Sequence, residues 1–174
     1  MGELMHDEHL LLDYLRSHFF GKYRGTVSDN EDSTSRGRIK VKVPAVLGPD
    51  LEVWAMPCVP YAGDQVGFYS LPPKGSGVWI EFEAGDPSYA IWSGCFWADN
   101  ELPDSGGPDI KIWQTDSLKV RLDDSADELL LENGSESKTT YGDDVTTEAG
   151  SAKITVGDSG GVSVSVNDGS LEVM

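Results

Sequence analysis

From about Gly106 onward, the chain is a succession of short segments in which apolar residues occupy every second position. The segments IKIW, LKVRL, ELLLE, KITVG, VSVSV and LEV are separated by turn sequences such as DDSAD, NGSES and GDSGG. Alternation with a period of two is typical of β-strands that bury one face. Each strand offers only a thin face of Ile, Leu or Val, and this region lacks the second apolar layer that a core requires. These faces therefore need a cover from elsewhere.

Other copies of the same chain are the most economical cover for these strands. Copies wrapped around a shared axis would each contribute one face to a common dry interior, and the closed arrangement would leave no long strand edge open to aggregation. The alternative is an ordinary single-chain sheet that packs against the rest of the protein. The multi-copy hypothesis predicts an interior lined by alternating apolar residues, which are Ile110, Ile112, Val120, Leu122, Leu129, Leu131, Ile154, Val156, Val162, Val164 and Val166.

One stretch of this region, SKTTYGDDVTTEAGSA at residues 137–152, interrupts the apolar pattern. Tyr141 and Val145 are its only sizeable apolar residues. Three arrangements remain open for it: an interior lined by threonines, an interior that holds water or ions, or a local outward bulge. The nearby acid pairs, Asp123 with Asp124 and DD at 143–144, lack the D-x-D-x-D-G spacing of a calcium loop, so we predict that they form solvated turns.

Residues 22–97 also consist of short strand candidates between turn signals, but with more aromatic residues. The candidates are KYRGTVSDN, RGRIKVKVPAV, LEVWAMP, QVGFYSLP, GVWIEFEA and YAIWSGCFW. In RGRIKVKVP, Ile39, Val41 and Val43 alternate with basic residues, which predicts one buried face and one solvated face. The pattern indicates a small closed barrel or a sandwich. Tryptophans at strand spacing beside Gly and Pro are expected to anchor the core rather than to form a stacking platform for bases.

Residues 7–20 have the three- and four-residue apolar spacing of one amphipathic helix. Asp7 is the predicted N-cap of this helix, and Gly21 is the predicted stop. His6 and His9 lie near the same end of the helix, but without a fourth ligand they do not predict a metal site.

The net charge of the chain is -17 at pH 7, which argues against any role that depends on neutralising phosphates. Nucleic acid and anionic membranes are therefore not expected as partners. No run approaches the roughly eighteen apolar residues of a membrane helix, and the N-terminus lacks the basic start of a signal peptide, so we expect synthesis in the cytoplasm. Cys58 and Cys95 are predicted to be small buried thiols rather than a disulfide.

No catalytic constellation is evident in the sequence. All three histidines lie within the first 18 residues. The GDSGG segment at 157–161 resembles the nucleophile region of chymotrypsin-like proteases, but no histidine lies in a preceding barrel strand to act as its base. The sequence therefore predicts neither an enzyme nor a bound cofactor or metal.

Three blocks of sequence carry a family resemblance that covers about residues 10–100. They are FFGKYRGTVSDNEDSTSRGRIKVKVPAVLG, WAMPCVPYAG and GFYSLPPKGSGVWIEFEAGDPSYAIWSGCFW. These blocks closely resemble the N-terminal barrel of contractile-tail spike proteins of the phage baseplate assembly protein V type, which are related to the type VI secretion valine-glycine repeat proteins. The resemblance implies a five-stranded barrel of the oligonucleotide/oligosaccharide-binding (OB) type, followed by a triple-stranded β-helix needle that three chains form together.

The resemblance divides an all-β chain into four parts. These are an amphipathic helix at 1–21, an OB barrel at 22–100, a linker at 101–109 and the intertwined β-helix of a homotrimer at 110–174. The segment LPPKGSGVWIEFEAGDPSYAIWSG would form the last two barrel strands and their connection. Four aromatic residues are expected either in the barrel core or at a contact between trimer subunits: Trp54, Trp79, Phe82 and Trp92. The short linker leaves no room for the lysozyme domain that some relatives insert.

The resemblance implies a structural role as the central spike of a contractile, phage-tail-like injection particle. The spike would transmit the force of contraction from a tube-initiating hub protein, which contacts the helix and barrel, to a membrane-piercing tip. A tip protein of the proline-alanine-alanine-arginine repeat class would dock on Leu171, Glu172, Val173 and Met174. The chain would assemble into the baseplate after synthesis in the cytoplasm. The alternative function is an OB-fold binding module for an oligomeric ligand in a phage-like baseplate.

Overall fold

The chain divides into two units between Glu101 and Leu102. The computed structural model describes residues 2–104, 107–157 and 162–165. The first unit contains one long helix and a closed barrel, and the second contains a single antiparallel sheet.

The N-terminal helix α1 spans Gly2–Ser17. It begins before Asp7 and ends before Gly21, so both predicted ends of the helix are wrong. No proline or β-branched residue stands between residues 3 and 17, so nothing in the sequence prevents the helix from extending upstream of Asp7. At the other end, the Ser17 hydroxyl donates to the Asp13 carbonyl at 2.9 Å and so satisfies one of the last carbonyls.

Seven strands follow in the first unit. Five of them close a barrel in the order β1-β2-β3-β7-β6. The pairing of β3 with β7 is parallel, and the other four pairings are antiparallel. The strands are β1 (Tyr23–Asp29), β2 (Ile39–Lys42), β3 (Glu52–Pro57), β4 (Ala62–Gly63), β5 (Val66–Gly67), β6 (Gly77–Phe82) and β7 (Ala90–Phe96).

The barrel core consists of residues that alternate along these strands. In β2 and just after it, Ile39, Val41 and Val43 are fully buried, which confirms the alternation predicted for RGRIKVKVP. In β6, Val78 and Ile80 are likewise fully buried. Each such side chain contributes about 1.5–3 kcal/mol through the apolar surface removed from water. A closed barrel also has no free strand edge. The first unit therefore has a complete core of its own.

The segment QVGFYSLP does not form a barrel strand, contrary to the prediction. Only Val66–Gly67 is extended, and it pairs with Ala62–Gly63 in a small separate hairpin. At Gly67, φ is +152° and an added Cβ would lie 2.8 Å from the Tyr61 carbonyl oxygen, so the backbones approach closely. The two prolines that follow at 72–73 lack the N–H groups that a barrel ladder requires. A one-turn helix, α2 (Pro44–Leu47), lies between β2 and β3.

The segment LPPKGSGVWIEFEAGDPSYAIWSG contains the last two barrel strands, β6 and β7, as the resemblance implies. A short 3-10 turn, Glu83–Gly85, connects them, and the Asp86 carboxylate accepts a hydrogen bond from the Ser88 amide at 2.8 Å. The Phe19 amide donates to the Gly85 carbonyl at 2.7 Å. The chain that leaves α1 is therefore attached to this connection.

The second unit is a seven-stranded sheet in which every strand pairs with its neighbours in sequence. All the pairings are antiparallel, and none contains a register shift. Residues 137–152 form two regular strands, so the sheet has no bulge there. The strands are β8 (Ile110–Gln114), β9 (Leu118–Asp123), β10 (Glu128–Asn133), β11 (Ser137–Tyr141), β12 (Val145–Ala149), β13 (Ala152–Val156) and β14 (Val162–Ser165).

The barrel core generates a prediction at Gly25, which lies on the inner side of β1. An added Cβ there would lie 2.9 Å from Cγ1 of Ile80 and 3.1 Å from the carbonyl oxygen of Lys42. We expect Gly25→Ala to lower the free energy of unfolding by about 1–3 kcal/mol, because the core must expand to accept the methyl group. Urea titration followed by tryptophan fluorescence measures the change. The control is Thr26→Ala, on the exposed side of the same strand; equal stability of the two variants would contradict the prediction.

Candidate assembly surfaces

One side of the second sheet carries its large exposed apolar side chains. Residues paired directly across antiparallel strands project to the same side. Trp113 pairs with Val120, and Val120 pairs in turn with Leu131. We call this side the apolar face. Its large residues in β8–β13 are Trp113, Leu118, Val120, Leu122, Leu129, Leu131, Tyr141, Val145, Ile154 and Val156.

Much of the apolar face is in contact with solvent. Trp113 is 60% exposed, Leu118 is 58% exposed and Ile154 is 48% exposed. These fractions differ sharply from those of the barrel core, where the corresponding side chains are almost fully buried. Contiguous exposed apolar surface of this kind marks an interaction site in a soluble protein. The apolar face is therefore the principal candidate assembly surface of the second unit.

The middle of the apolar face is lined by small and polar residues. Thr139 and Thr147 pair across β11 and β12, with their hydroxyl oxygens 3.3 Å apart. Ser137 pairs with Ala149 one step further along the same ladder. Because these side chains are short, they help to line a concavity of about 490 Å³. This is the stretch for which the sequence left three arrangements open; Thr139 and Thr147 lie on the apolar face, whereas Thr140 and Thr146 lie on the opposite side of the sheet.

The opposite side of the sheet, which we call the ion-paired face, carries alternating charges. Lys119 pairs with Glu132 at 2.9 Å between β9 and β10. Glu148 of β12 lies between two lysines, Lys138 at 2.9 Å and Lys153 at 3.1 Å. Hydrogen bonds from these two lysines hold the pKa of Glu148 below its ordinary value. Charges that are satisfied within the sheet need no partner from another molecule, so this side suits contact with water.

The predicted interior residues fall on both sides of the sheet. Val120, Leu122, Leu129, Leu131, Ile154 and Val156 lie on the apolar face. Ile110 and Ile112 pair with Asp123 and Arg121 on the ion-paired face, so their prediction as interior residues together with the others is wrong. In the IKIW segment, large apolar side chains occupy both odd and even positions, so alternation does not decide which side of the strand is buried. The pattern alone favoured the two isoleucines over Trp113 as interior residues. In β14, Val162 and Val164 pair with Val156 and Ile154, whereas Val166 and the predicted tip residues 171–174 lie outside the described residues.

Asp123 at the end of β9 is buried, so the prediction that it is solvated is wrong, whereas its neighbour Asp124 is exposed. Its carboxylate accepts hydrogen bonds from the hydroxyl of Ser125 at 2.6 Å and from the guanidinium of Arg121 at 2.8 Å. The amide of Ala126 also donates to it at 3.1 Å. These donors hold the pKa of Asp123 below its ordinary value, with the Ser125 hydroxyl as the largest cause. Asp123 therefore closes the turn between β9 and β10.

The four aromatic residues predicted for the barrel core or a subunit contact separate into two pairs. Phe82 and Trp92 lie in the core, each 6% exposed. Trp54 and Trp79 lie outside the core, and an arginine covers each of them. The Arg38 guanidinium carbon lies 5.1 Å from the centre of the Trp54 ring, and that of Arg24 lies 5.1 Å from the centre of the Trp79 ring. Both tryptophans are therefore partly covered within their own chain.

A comparison with protein families decides the identity of the barrel. Residues 23–97 match the family described as "Type VI secretion system/phage-baseplate injector OB domain". This range begins with β1 and ends just after β7, so it coincides with the closed barrel. The barrel is therefore similar to the OB domain of this family. The match confirms the resemblance found in the sequence and supports a structural role related to a baseplate. A comparison with curated proteins gave no match.

On the side of the OB domain where such folds bind ligands, two lysines are paired with a carboxylate of the same sheet. OB folds bind oligomers on the face of strands 2 and 3 and through adjacent loops. Here Lys40 and Lys42 of β2 both pair with Glu52 of β3, at 3.1 and 3.7 Å. The pKa of Glu52 is lowered, chiefly by the hydrogen bond from Lys40. These lysines are therefore engaged within the sheet, which disfavours their use as phosphate contacts.

A single carboxylate organises the loop between β1 and β2 of the OB domain. Asp32 accepts hydrogen bonds from the Arg38 guanidinium at 2.7 Å and from the Thr34 hydroxyl at 2.8 Å. The amide of Arg36 donates to its other oxygen at 2.9 Å. The bond from Arg38 is the largest cause that holds the pKa of Asp32 well below its ordinary value. The same guanidinium lies over the Trp54 ring, so Asp32 also fixes the position of the arginine that covers this tryptophan.

The other candidate sites from the sequence are not assembled in the structure. Cys58 and Cys95 are both exposed free thiols, so the prediction that they are buried is wrong; Cys58 follows the end of β3, and Cys95 lies near the end of β7. Within the described ranges, no group of three or more His, Cys, Asp or Glu side chains is placed to hold a metal ion. No helix in the described part of the chain has the length and apolar character needed to cross a membrane.

The Asp32 carboxylate generates a prediction about pH. Because its folded pKa is lowered, its contribution to stability is complete above the pKa of an unfolded aspartate, about 3.9, and is lost as the pH falls through the folded value. We expect Asp32→Asn to lower the urea midpoint at neutral pH, and the gap from the wild type to shrink below about pH 4. Urea titrations over a pH series measure both midpoints, with Glu31→Gln as the control on the same loop. A gap that persists unchanged in strong acid would contradict the prediction.

Proposed function

We propose that three copies of this chain associate through their apolar faces and form the central spike of a contractile, phage-tail-like injection particle. The exposure of the apolar face is the observation that supports this proposal most strongly. Each copy would contribute one sheet to a closed interior, with the apolar faces inward and the ion-paired faces in water. The similarity of the barrel to the injector OB-domain family supports the assignment to such a particle.

The proposed role is structural and not enzymatic. Three hydrogen-bonded sheets that close around a common interior cannot be separated without exposing three apolar faces at once. Ladders without register shifts also distribute a load over many bonds, because neighbouring strands must shear together. The net charge of -17 per chain would keep such an assembly soluble. The spike would transmit the force of contraction from a tube-initiating hub at one end to a membrane-piercing tip at the other.

The second candidate function is an OB-fold module that binds an oligomeric ligand in a phage-like baseplate. The OB domain favours this function, because the fold is widely used for binding oligomers. The pairing of both β2 lysines with Glu52 weighs against an anionic oligomer. The two functions differ in the state of the second unit: a binding module requires no association of apolar faces, whereas the spike does.

Two adjacent leucines of β10 provide a matched test of the proposed association. Leu131 lies on the apolar face and Leu130 lies opposite, paired with Arg121. We expect Leu131→Lys to convert a trimer to a monomer, because a charge buried in each copy at the interior costs several kcal/mol. Leu130→Lys should remain trimeric, because its ammonium group would lie among charged residues on the ion-paired face.

Light scattering on a sizing column gives the mass of the wild type and both variants. The proposal requires a wild-type mass three times 18.8 kDa. A folded monomeric wild type would contradict the spike and favour the binding module. Equal loss of the trimer in both variants would contradict an interior formed by the apolar face alone.

The proposed tip contact supplies a further prediction. We expect deletion of residues 171–174 to leave the trimer intact and to abolish binding to a tip protein of the proline-alanine-alanine-arginine repeat class, because these residues would supply the docking surface. A pull-down with the tip protein from the same particle measures binding, and light scattering verifies the mass of the shortened chain. Undiminished capture of the tip protein would contradict the proposed docking residues.

A further inference from the structure

A second apolar surface lies on the first unit, beside the barrel. The β4–β5 hairpin and the loop before β2 border a groove of about 530 Å³, which we call the hairpin groove. Buried Trp92 lines it, together with Tyr61, Phe68 and Tyr69, which are 59%, 52% and 77% exposed. The sequence pattern did not single out these three aromatic residues, because they lie in a segment without alternation.

The charge of the hairpin groove differs from that of the chain as a whole. The chain has 30 acidic and 13 basic residues, yet no described residue that lines the groove is acidic, and Arg36 contributes a positive charge. Most of the remaining lining is apolar or aromatic. The groove is therefore complementary to a segment that combines apolar side chains with negative charge.

Helix α1 has both properties. Leu11, Tyr14 and Leu15 are neighbours at three- and four-residue spacing on one side of the helix, and they are 59%, 47% and 55% exposed. The Tyr14 ring stacks on that of His18, with the ring centres 3.8 Å apart, yet all three side chains remain exposed. The helix sequence GELMHDEHLLLDYLRS carries four acids and one arginine, so its charge is opposite to that of Arg36.

The segment after α1 is attached to the barrel at the connection between β6 and β7. The Phe19 amide is bonded to the Gly85 carbonyl at 2.7 Å, and the Phe19 ring lies 6.3 Å from that of Phe82 in the core. An added Cβ at Gly85 would lie 3.0 Å from both His18 and Phe20, so this attachment is closely packed. The apolar side of α1 is exposed in the single chain, so it is available for contact with a second copy.

We propose that helix α1 of one copy binds in the hairpin groove of a neighbouring copy, with Leu11, Tyr14 and Leu15 against the aromatic lining. Helix-in-groove contacts of this kind use apolar anchors at three- and four-residue spacing. The contact joins two different surfaces, so it is a head-to-tail contact that can close a ring. A ring of three copies rests on the proposed function above, whereas the helix–groove contact itself can be tested separately.

Disulfide trapping between two forms of the full chain tests this contact. Cys58 is exposed and lies between Pro57 and Val59, which both line the groove. One form carries a size-altering tag and Cys95→Ser, so that Cys58 is its single thiol. The untagged form carries Cys58→Ser, Cys95→Ser and Leu11→Cys. The two forms are co-expressed, purified together and oxidised, and a non-reducing gel separates the mixed product by size.

The control form carries Asp13→Cys in place of Leu11→Cys. Residues 11 and 13 are both exposed and lie on nearly opposite sides of the helix, since two residues correspond to about 200° of rotation. We expect several-fold more mixed disulfide with Leu11→Cys than with Asp13→Cys, and we expect Leu15→Asp to abolish that excess. Equal yields from the two cysteine positions would overturn the contact. A disulfide formed only within one chain, in a form that carries both Leu11→Cys and Cys58, would overturn it as well.

Light scattering on the same preparations keeps this test separate from that of the proposed function. A trimer without preferential trapping would overturn the helix–groove contact and leave the association of apolar faces intact. A monomeric wild type would overturn the trimer, whatever the yield of trapped product. Preferential trapping within a trimer would support both.

Discussion

The register of the second sheet is the constraint on which its behaviour depends. Seven strands pair without a shift, so a residue's parity within its strand decides the side of the sheet on which it lies. Apolar residues at one parity therefore accumulate on one face, from Trp113 in β8 to Ile154 in β13. A slip of one residue in any ladder would bring charged side chains into that face. The register alone thus creates a contiguous apolar surface that is exposed in the single chain.

The ion-paired face restricts the proposed association to one side of the sheet. Exposed ion pairs such as Lys119 with Glu132 contribute only about 0–1 kcal/mol each to stability, so they do not hold the sheet together. Their effect is on orientation, because covering them would remove solvated charges from water at a much larger cost. Lys138 and Lys153 on either side of Glu148 extend this effect to β12 and β13. The free-energy difference between the two faces therefore arises from the cost of burying charge as much as from the gain of burying leucine.

The barrel was more predictable from sequence than the surfaces. Strict alternation in β2 identified Ile39 and Val41 as core, and the family resemblance implied the five-stranded barrel and located its last two strands. The side of each aromatic residue was not predictable, because an arginine from another strand or loop determines whether an outward tryptophan is covered, as Arg24 covers Trp79. In β8, large apolar residues occupy both odd and even positions, so the sequence did not determine which of them face the apolar side. The pairing of Trp113 with Val120 determines it. Alternation identifies a strand, but cross-strand neighbours decide its faces.

The two units differ in whether their apolar side chains are buried within the chain. The barrel closes on itself and buries Ile39, Val78 and Ile80 completely, so its fold requires no partner. The second sheet cannot close alone, because a single layer has no other side on which to bury Leu131 or Ile154. In the proposed trimer, a chain built in this way would couple a barrel with its own core to a sheet whose stability depends on association. The folded state of the sheet would then be linked to concentration, and assembly would be part of its folding rather than a later event.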